Sequence, residues 1–131
     1  MIVLESSAVV ALVRGEPERS AFQRALAAAD RVCMSALNAF ETRTVLGNGR
    51  ANPHVEAFNL LLAELEVEIH PFDATQSDAA FAAYSRYGKG VHPKARLNIC
   101  DCAAYALAKS LDAPLLFKGV DFRHTDVTAA L

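Results

Sequence analysis

The sequence contains little cysteine, which argues against a disulfide-stabilised domain and against a small zinc-binding domain. It has three cysteines in 131 residues, an odd number that predicts reduced thiols rather than a disulfide framework. A zinc site normally uses about four regularly spaced ligands. Only Cys100 and Cys102 lie close together here, on different faces if they lie in a helix. We therefore expect Cys33, Cys100 and Cys102 to be thiols in or near the core.

Long apolar runs and an excess of positive charge are also missing. No apolar stretch reaches the roughly 18 residues of a membrane span, and the first residues lack a basic segment and a cleavage site. We expect a cytoplasmic protein without membrane contact. The formal net charge is −2 at pH 7, so any contact with nucleic acid must come from local charge. The length and the lack of repeats or linkers predict one domain over residues 1–131.

Short apolar runs alternate with longer segments of helical periodicity. Strands are predicted at 2–4, 32–34, 67–69 and 115–117, with an edge strand near Val127, and helices at 8–13, 17–30, 36–46, 53–65, 73–87 and 98–111. The predicted helix-capping signals are Ser35, Asp73 with Gln76, and Asn98 at N-termini, and Gly47 with Gly49 at the end of the third helix. The alternation predicts an α/β fold with a mostly parallel sheet of four to five strands.

Carboxylates follow two of the predicted strands. Glu5 comes directly after strand one, and Asp121 lies in the loop after strand four, with Asp126 a little farther on. Open parallel sheets bind ligands in the crevice at the carboxyl ends of their strands. If strands one and four are near neighbours, these carboxylates face the same crevice.

Two further acids lie on predicted helices. Glu41 shares a face with Leu37 and Val45, so we expect it to point inward. A buried unpaired carboxylate costs several kcal/mol or more, which a cation, a basic side chain or a proton must offset. Asp101 falls in the first turn of an otherwise apolar helix, where an acid that only complements the helix dipole contributes about 0.3–1 kcal/mol. Oxygen ligands converging on one crevice suit Mg²⁺ or Mn²⁺, and such a centre can hydrolyse phosphodiesters.

Four ordered blocks of sequence carry a family resemblance. They are MIVLESSAVVAL, SALNAFETRTVL, YSRYGKGVHPKARLNICDCAAYALAK and PLLFKGVDFRHTDV. Together they span nearly the whole chain, which resembles a PIN-domain ribonuclease and, more narrowly, a VapC toxin of the VapBC toxin–antitoxin systems. The resemblance implies an α/β/α sandwich and a Mg²⁺- or Mn²⁺-dependent endoribonuclease. It also implies a homodimer, held inactive by a VapB-type antitoxin.

The resemblance assigns roles to individual residues. The catalytic and metal-binding acids correspond to Glu5, Glu41, Asp101 and Asp121, with Asp126 as a possible fifth metal ligand. Ser7 matches a hydroxyl position that often supports the first acid.

Two positions depart from the family pattern. The first acid is usually aspartate, whereas this chain has Glu5, whose extra methylene moves the carboxylate by roughly 1 Å, a displacement that can cost about a hundredfold in rate. Cys100 stands where glycine is usual before the third acid. A catalytically impaired PIN module that still binds its antitoxin and RNA is therefore the alternative. A metal-dependent phosphatase of another α/β family fits less well, because such enzymes usually have an aspartate nucleophile after strand one.

Local positive charge could bind RNA. The segment 84–98 contains Arg86, Lys89, Lys94 and Arg96 without any acid, and Lys118 precedes Asp121. Together with the neighbouring tyrosines, these cations could contact phosphates and stack on bases, although a solvated loop would have the same composition. The apolar residues of the helices near 22–26 and 58–65 could form either core or a partner surface.

Overall fold

The computed structural model describes all 131 residues and contains one parallel four-stranded sheet between layers of helices. The strands are β1 (Ile2–Leu4), β2 (Val32–Ser35), β3 (Glu68–His70) and β4 (Leu115–Leu116), in the order β3-β2-β1-β4. The helices are α1 (Ser6–Arg14), α2 (Arg19–Ala28), α3 (Ala36–Gly47), α4 (Pro53–Glu64), α5 (Ala74–Tyr87) and α6 (Ile99–Ser110). A 3₁₀ turn follows β4 at Asp121–His124. No helix is long and apolar enough to cross a membrane.

The sheet separates two hydrophobic cores because successive side chains of a strand point to opposite faces. Val3 of β1 belongs to the core formed with α5 and α6, whereas Ile2 and Leu4 belong to the core formed with α1 to α4. Cys33 and Met34 divide in the same way on β2. This is the predicted α/β/α arrangement, and it places β1 between β2 and β4.

The predicted helix starts are largely confirmed. Ser35 accepts a hydrogen bond from the Leu37 amide, and Asp73 caps α5 through the Gln76 amide. The reciprocal half of the predicted α5 capping box is wrong, because the Gln76 side chain donates instead to Ser110 of the adjacent α6.

Several element boundaries differ from the prediction by one or two residues, and one predicted strand does not form. Glu5 is the N-cap of α1, which begins at Ser6 rather than at residue 8. The third helix includes Gly47 instead of ending before it. Its C-cap is Asn48, which adopts the left-handed conformation with φ 48°. No strand forms at Val127; only an isolated bridge joins Leu115 to Ala129, so the sheet has four strands.

A candidate active site at the carboxyl end of the sheet

Glu5 occupies a buried position where β1 gives way to α1. The residue is only 3% exposed, and its Oε2 accepts hydrogen bonds from the Ser7 amide at 2.8 Å and from the Ser7 hydroxyl. Ser7 Oγ in turn accepts from the Lys118 amide at 2.9 Å, which ties it to the loop after β4. The predicted supporting role of Ser7 therefore has a direct geometric basis.

Asp101 lies in the first turn of α6 and takes part in a complete capping box. Its Oδ2 accepts from the Asn98 amide at 3.0 Å, while Asn98 Oδ1 accepts from the Asp101 amide at 2.8 Å. One carboxylate oxygen is thus used locally, and Oδ1 forms no hydrogen bond within the protein. The helix-start interpretation of Asp101 is correct and leaves one oxygen for a ligand.

Glu41 lies on a face of α3 that is less buried than predicted. The face that packs inward carries Asn38 and Thr42, whereas Val45, on the Glu41 face, is 46% exposed. Glu41 itself is half-buried, and its Oε1 is shielded from solvent without any hydrogen-bond partner. The prediction that the Glu41 face of α3 enters the core is therefore wrong. Glu41 and Val45 border an open crevice instead.

Two neighbouring cavities bring the predicted acids together. One, of about 470 Å³, is lined by Glu5, Glu41 and Asp101 together with Ser7 and Lys118. The other, of about 250 Å³, is lined by Lys89, Arg96, Asn98, Asp101 and Asp121. Asn98 and Asp101 border both cavities, so the four principal acids surround one continuous crevice.

Burial, with repulsion from neighbouring acids, raises the pKa values of Glu5 and Asp101. Burial, reinforced by the negative charges of Asp101 and Glu41, raises the pKa of Glu5 to about 7 despite the hydrogen bonds from Ser7. Burial, with the charges of Glu41 and Asp121, raises the pKa of Asp101 to about 6. No salt bridge reaches Glu5, Glu41 or Asp101. A divalent cation would relieve this repulsion, so the donor set fits a hard metal ion with oxygen ligands.

Asp126, the predicted fifth ligand, lies outside this set of acids. Its carboxylate accepts a hydrogen bond from the Tyr105 hydroxyl and pairs with Lys109 at 3.3 Å and Arg86 at 3.6 Å. These contacts, led by the Tyr105 bond, hold the pKa of Asp126 below its usual range. It borders neither cavity, because the chain after the 3₁₀ turn runs toward α5 and α6.

The predicted RNA-binding cations divide into three groups. Lys89 and Arg96 border the crevice beside Asp101 and Asp121. Lys94 is exposed and borders neither cavity. Lys118 borders the crevice, but its Nζ pairs with Glu16 at 2.8 Å and Glu18 at 3.4 Å, so its charge is already partly neutralised.

Asn38 is a site-supporting residue that the sequence analysis missed. It is fully buried on α3, and its Nδ2 donates to the Cys100 carbonyl at 2.9 Å. That bond fixes the first turn of α6, next to Asp101. No local sequence signal marked it, because its side-chain amide and the carbonyl that it contacts lie 62 positions apart in the chain.

Comparison with known proteins identifies the family of the chain. The PIN domain family matches residues 2–127. Ribonuclease VapC30 of Mycobacterium tuberculosis is 42% identical over 131 residues, which cover 99% of each chain. Ribonuclease VapC of Mycolicibacterium smegmatis is 42% identical over 128 residues, which cover 98% of each chain.

Two solved structures share the fold at low sequence identity. M. tuberculosis VapC20, described as a sarcin–ricin loop cleaving toxin, superposes with a TM-score of 0.79 at 18% identity, covering 98% of this chain and 97% of that one. A chain from a Klebsiella pneumoniae toxin–antitoxin complex gives 0.72 at 15% identity, covering 100% and 98%. The chain belongs to the PIN-domain family and, within it, to the VapC ribonucleases. The predicted family, ribonuclease class and toxin–antitoxin association are confirmed, and the impaired alternative is not favoured.

Proposed function

We propose that this chain hydrolyses RNA at the crevice bordered by Glu5, Glu41, Asp101 and Asp121, with Mg²⁺ or Mn²⁺ as the cofactor. The observation that carries the proposal is an uncompensated cluster of carboxylates, with two raised pKa values and a shielded Glu41 oxygen that has no partner. PIN ribonucleases are generally metal-dependent. A bound ion would activate water and offset charge on the phosphate.

The side chains of the crevice have distinct positioning roles. The Ser7 amide and hydroxyl hold one oxygen of Glu5, and Asn98 holds one oxygen of Asp101. In both acids the second oxygen remains for a cation. Glu41 and Asp121 complete the set from α3 and from the loop after β4. Fixing ligand orientation before the ion arrives lowers the cost of binding.

Glu5 is compatible with this function despite its extra methylene. Its carboxylate borders the same cavity as Asp101 and Glu41 and interacts electrostatically with both. The Ser7 amide and hydroxyl hold its Oε2 at the start of α1, so the longer side chain has a fixed orientation. We therefore propose that glutamate serves in this chain where relatives of the family usually carry aspartate.

Lys89 and Arg96 are the cations best placed to receive the RNA backbone. Both border the cavity that contains Asp101 and Asp121, so a phosphate held there would lie beside the acids. Lys94 would contact flanking nucleotides from its exposed position on the same loop. Lys118 would need to exchange its partners Glu16 and Glu18 for phosphate, so we assign it a smaller role.

Two apolar surfaces suit the protein partners. VapC toxins pair with antitoxins, and we propose that a VapB-type antitoxin occupies the groove between α1, α2 and α4. That groove is lined by Leu12, Val13, Arg19, Gln23, Ala57, Leu60, Leu61 and Glu64. Of the two alternatives left open for the helices near 22–26 and 58–65, Phe22, Leu26 and Phe58 belong to the core. For the homodimer we propose the α5–α6 surface, where Phe81 and Ile99 are each 72% exposed.

The experiment that tests the proposed activity uses antitoxin-free protein and structured RNAs, including a sarcin–ricin stem-loop. Cleavage is measured with Mg²⁺, Mn²⁺ or EDTA. We expect metal-dependent cleavage that Glu41→Gln reduces at least about a hundredfold, as for loss of a metal ligand. Glu56→Gln on exposed α4 is the matched control. Cleavage that resists EDTA, or that Glu41→Gln leaves unchanged, contradicts the proposed site.

The Glu5→Asp variant tests the impaired alternative directly. If glutamate is a working ligand, the parent chain cleaves RNA and the variant changes the rate within about a hundredfold. If only the aspartate variant cleaves, the crevice is correct but the parent chain is an impaired form. Antitoxin binding, measured in parallel, should be the same in both proteins.

A further inference from the structure

A second group of metal-ligating side chains lies on the edge of the sheet, outside the carboxylate crevice. Strand pairing sets Cys33 of β2 directly beside Glu68 of β3, and Ser35 beside His70. Because alternate residues share a face of a strand, Cys33, Glu68 and His70 all project from the same face. Their ligand atoms lie within 4.8 Å of one another. Three different donor atoms, sulfur, oxygen and nitrogen, therefore converge.

Two of the three separations between these atoms match those of a tetrahedral zinc centre. Cys33 Sγ lies 3.5 Å from Glu68 Oε2, and His70 Nε2 lies 3.5 Å from the same oxygen. Ligands at about 2.3 Å for sulfur and about 2.0 Å for nitrogen or oxygen, at tetrahedral angles, stand roughly 3.5 Å apart. Sulfur and imidazole together favour Zn²⁺ over the Mg²⁺ or Mn²⁺ expected in the all-oxygen crevice.

Solvent reaches this group of ligands from the side of Glu68 and His70 only. Cys33 is fully buried, whereas the side chains of His70 and Glu68 are 29% and 41% exposed. An ion can reach the group from solvent and keep a water molecule as its fourth ligand. None of the three residues borders either cavity of the carboxylate crevice, so the two sites share no side chain.

Arg31 supplies the competing interpretation, in which the group is only an ion pair. Its Nε donates to Glu68 Oε1 at 3.0 Å and its Nη2 to Oε2 at 2.7 Å. These two hydrogen bonds from Arg31 neutralise the Glu68 carboxylate. They do not explain why the Cys33 thiol and the His70 imidazole also approach Oε2 of Glu68. With an ion bound, Arg31 could retain Oε1 and orient the carboxylate, as outer partners of metal ligands commonly do.

We propose that Cys33, Glu68 and His70 form a Zn²⁺ site that joins the edge strand β3 to β2. β3 has only three residues and pairs with β2 alone, so a metal bridge between the two strands would hold the edge of the sheet in register. This site is independent of the ribonuclease activity and does not rest on the proposed catalytic metal.

Cobalt substitution provides the test, because only a thiolate ligand gives a sulfur-to-cobalt charge-transfer band. We expect the full chain to bind one Co²⁺ with this band and to lose the band when Zn²⁺ is added. Cys100→Ser should keep the band, which would exclude the Cys100 thiol, on which Glu41 acts, as its source. Cys33→Ser should lose the band. Absence of the band in the parent chain, or its survival in Cys33→Ser, overturns the proposal.

A second variant covers the risk that Cys33→Ser disturbs the core. His70→Gln changes a partly exposed side chain, and circular dichroism would verify its fold. Competition with a chromophoric chelator should show a loss of Zn²⁺ affinity of at least about a hundredfold, since even outer-ligand changes cost 10–100-fold. His54→Gln, an exposed histidine on α4, is the matched control. Equal Zn²⁺ affinity in His70→Gln and the parent chain refutes the site.

Discussion

Replacing Glu5 with glutamine should stabilise the metal-free protein at alkaline pH while removing its activity. The pKa of Glu5 is raised from 4.5 to about 7, chiefly by burial and then by Asp101 and Glu41. The folded protein therefore retains a proton on Glu5 where the unfolded chain has lost it. Stability from this group is fully present below about pH 4.5 and is lost as the pH rises through 7.

The size of the effect follows from the shift. A difference of about 2.5 pKa units corresponds to roughly 3 kcal/mol, most of it lost between about pH 5 and pH 8. For a domain of this size, that is a decrease in Tm of about 10 °C. Glutamine keeps an oxygen that can accept from Ser7 but carries no charge, so Glu5→Gln should be more stable than the parent chain by about 3 kcal/mol at pH 8.

Urea unfolding in EDTA at pH 5 and pH 8 measures this difference. Asp101 also lowers the free energy of unfolding as the pH rises, because its pKa is raised as well. The parent chain and Glu5→Gln both contain Asp101, so both show this contribution. Glu56→Gln serves as the exposed control. Addition of Mn²⁺ should restore the parent chain at pH 8 more than the variant. Parallel stability losses from pH 5 to pH 8 in Glu5→Gln and the parent chain would refute the reasoning.

Three other changes test separate parts of the crevice. Asp101→Asn should lower cleavage at least about a hundredfold. Because the pKa of Asp101 is raised in the folded protein, the variant should also lose less stability than the parent chain between pH 5 and pH 8; RNA cleavage and urea unfolding measure both effects, with exposed Asp78→Asn as control. Neutralising Lys89 and Arg96 together should reduce the slope of log binding constant against log salt by roughly 1–2, and an unchanged slope would leave them as solvated loop residues. Asn38→Leu should cost about 1–3 kcal/mol, because the Cys100 carbonyl loses its buried donor; a neutral result by urea unfolding would remove Asn38 as a support of α6.

The elements of the fold were predictable where local signals coincide with tertiary packing. Ser35, Asp73 and Asn98 cap the helices that their spacing indicated, because an N-cap satisfies backbone amides within the same segment. Val127 failed as a strand because its segment makes only one isolated bridge, at Ala129. Pairing between distant segments is not encoded in the local pattern.

The site was predictable in its residue types but not in its exact surroundings. Leu37 and Val45 correctly place Glu41 on one helix face, but periodicity cannot tell a core from a crevice. Lys118 was predicted to contact phosphate or to pair with acids, and the sequence did not indicate its actual partners, Glu16 and Glu18, about a hundred residues earlier in the chain. Such ion pairs depend on how loops approach one another, which no single segment reveals.

Two helix N-termini explain how the acids come together although none of them forms an ion pair. Glu5 caps α1, and Asp101 lies in the first turn of α6, so each carboxylate lies at the positive end of a helix dipole. That interaction and the local hydrogen bonds from Ser7 and Asn98 offset part of the repulsion, while burial still raises both pKa values. The capping role and the proposed ligand role are therefore complementary, because the cap fixes one oxygen and thereby directs the carboxylate toward the crevice.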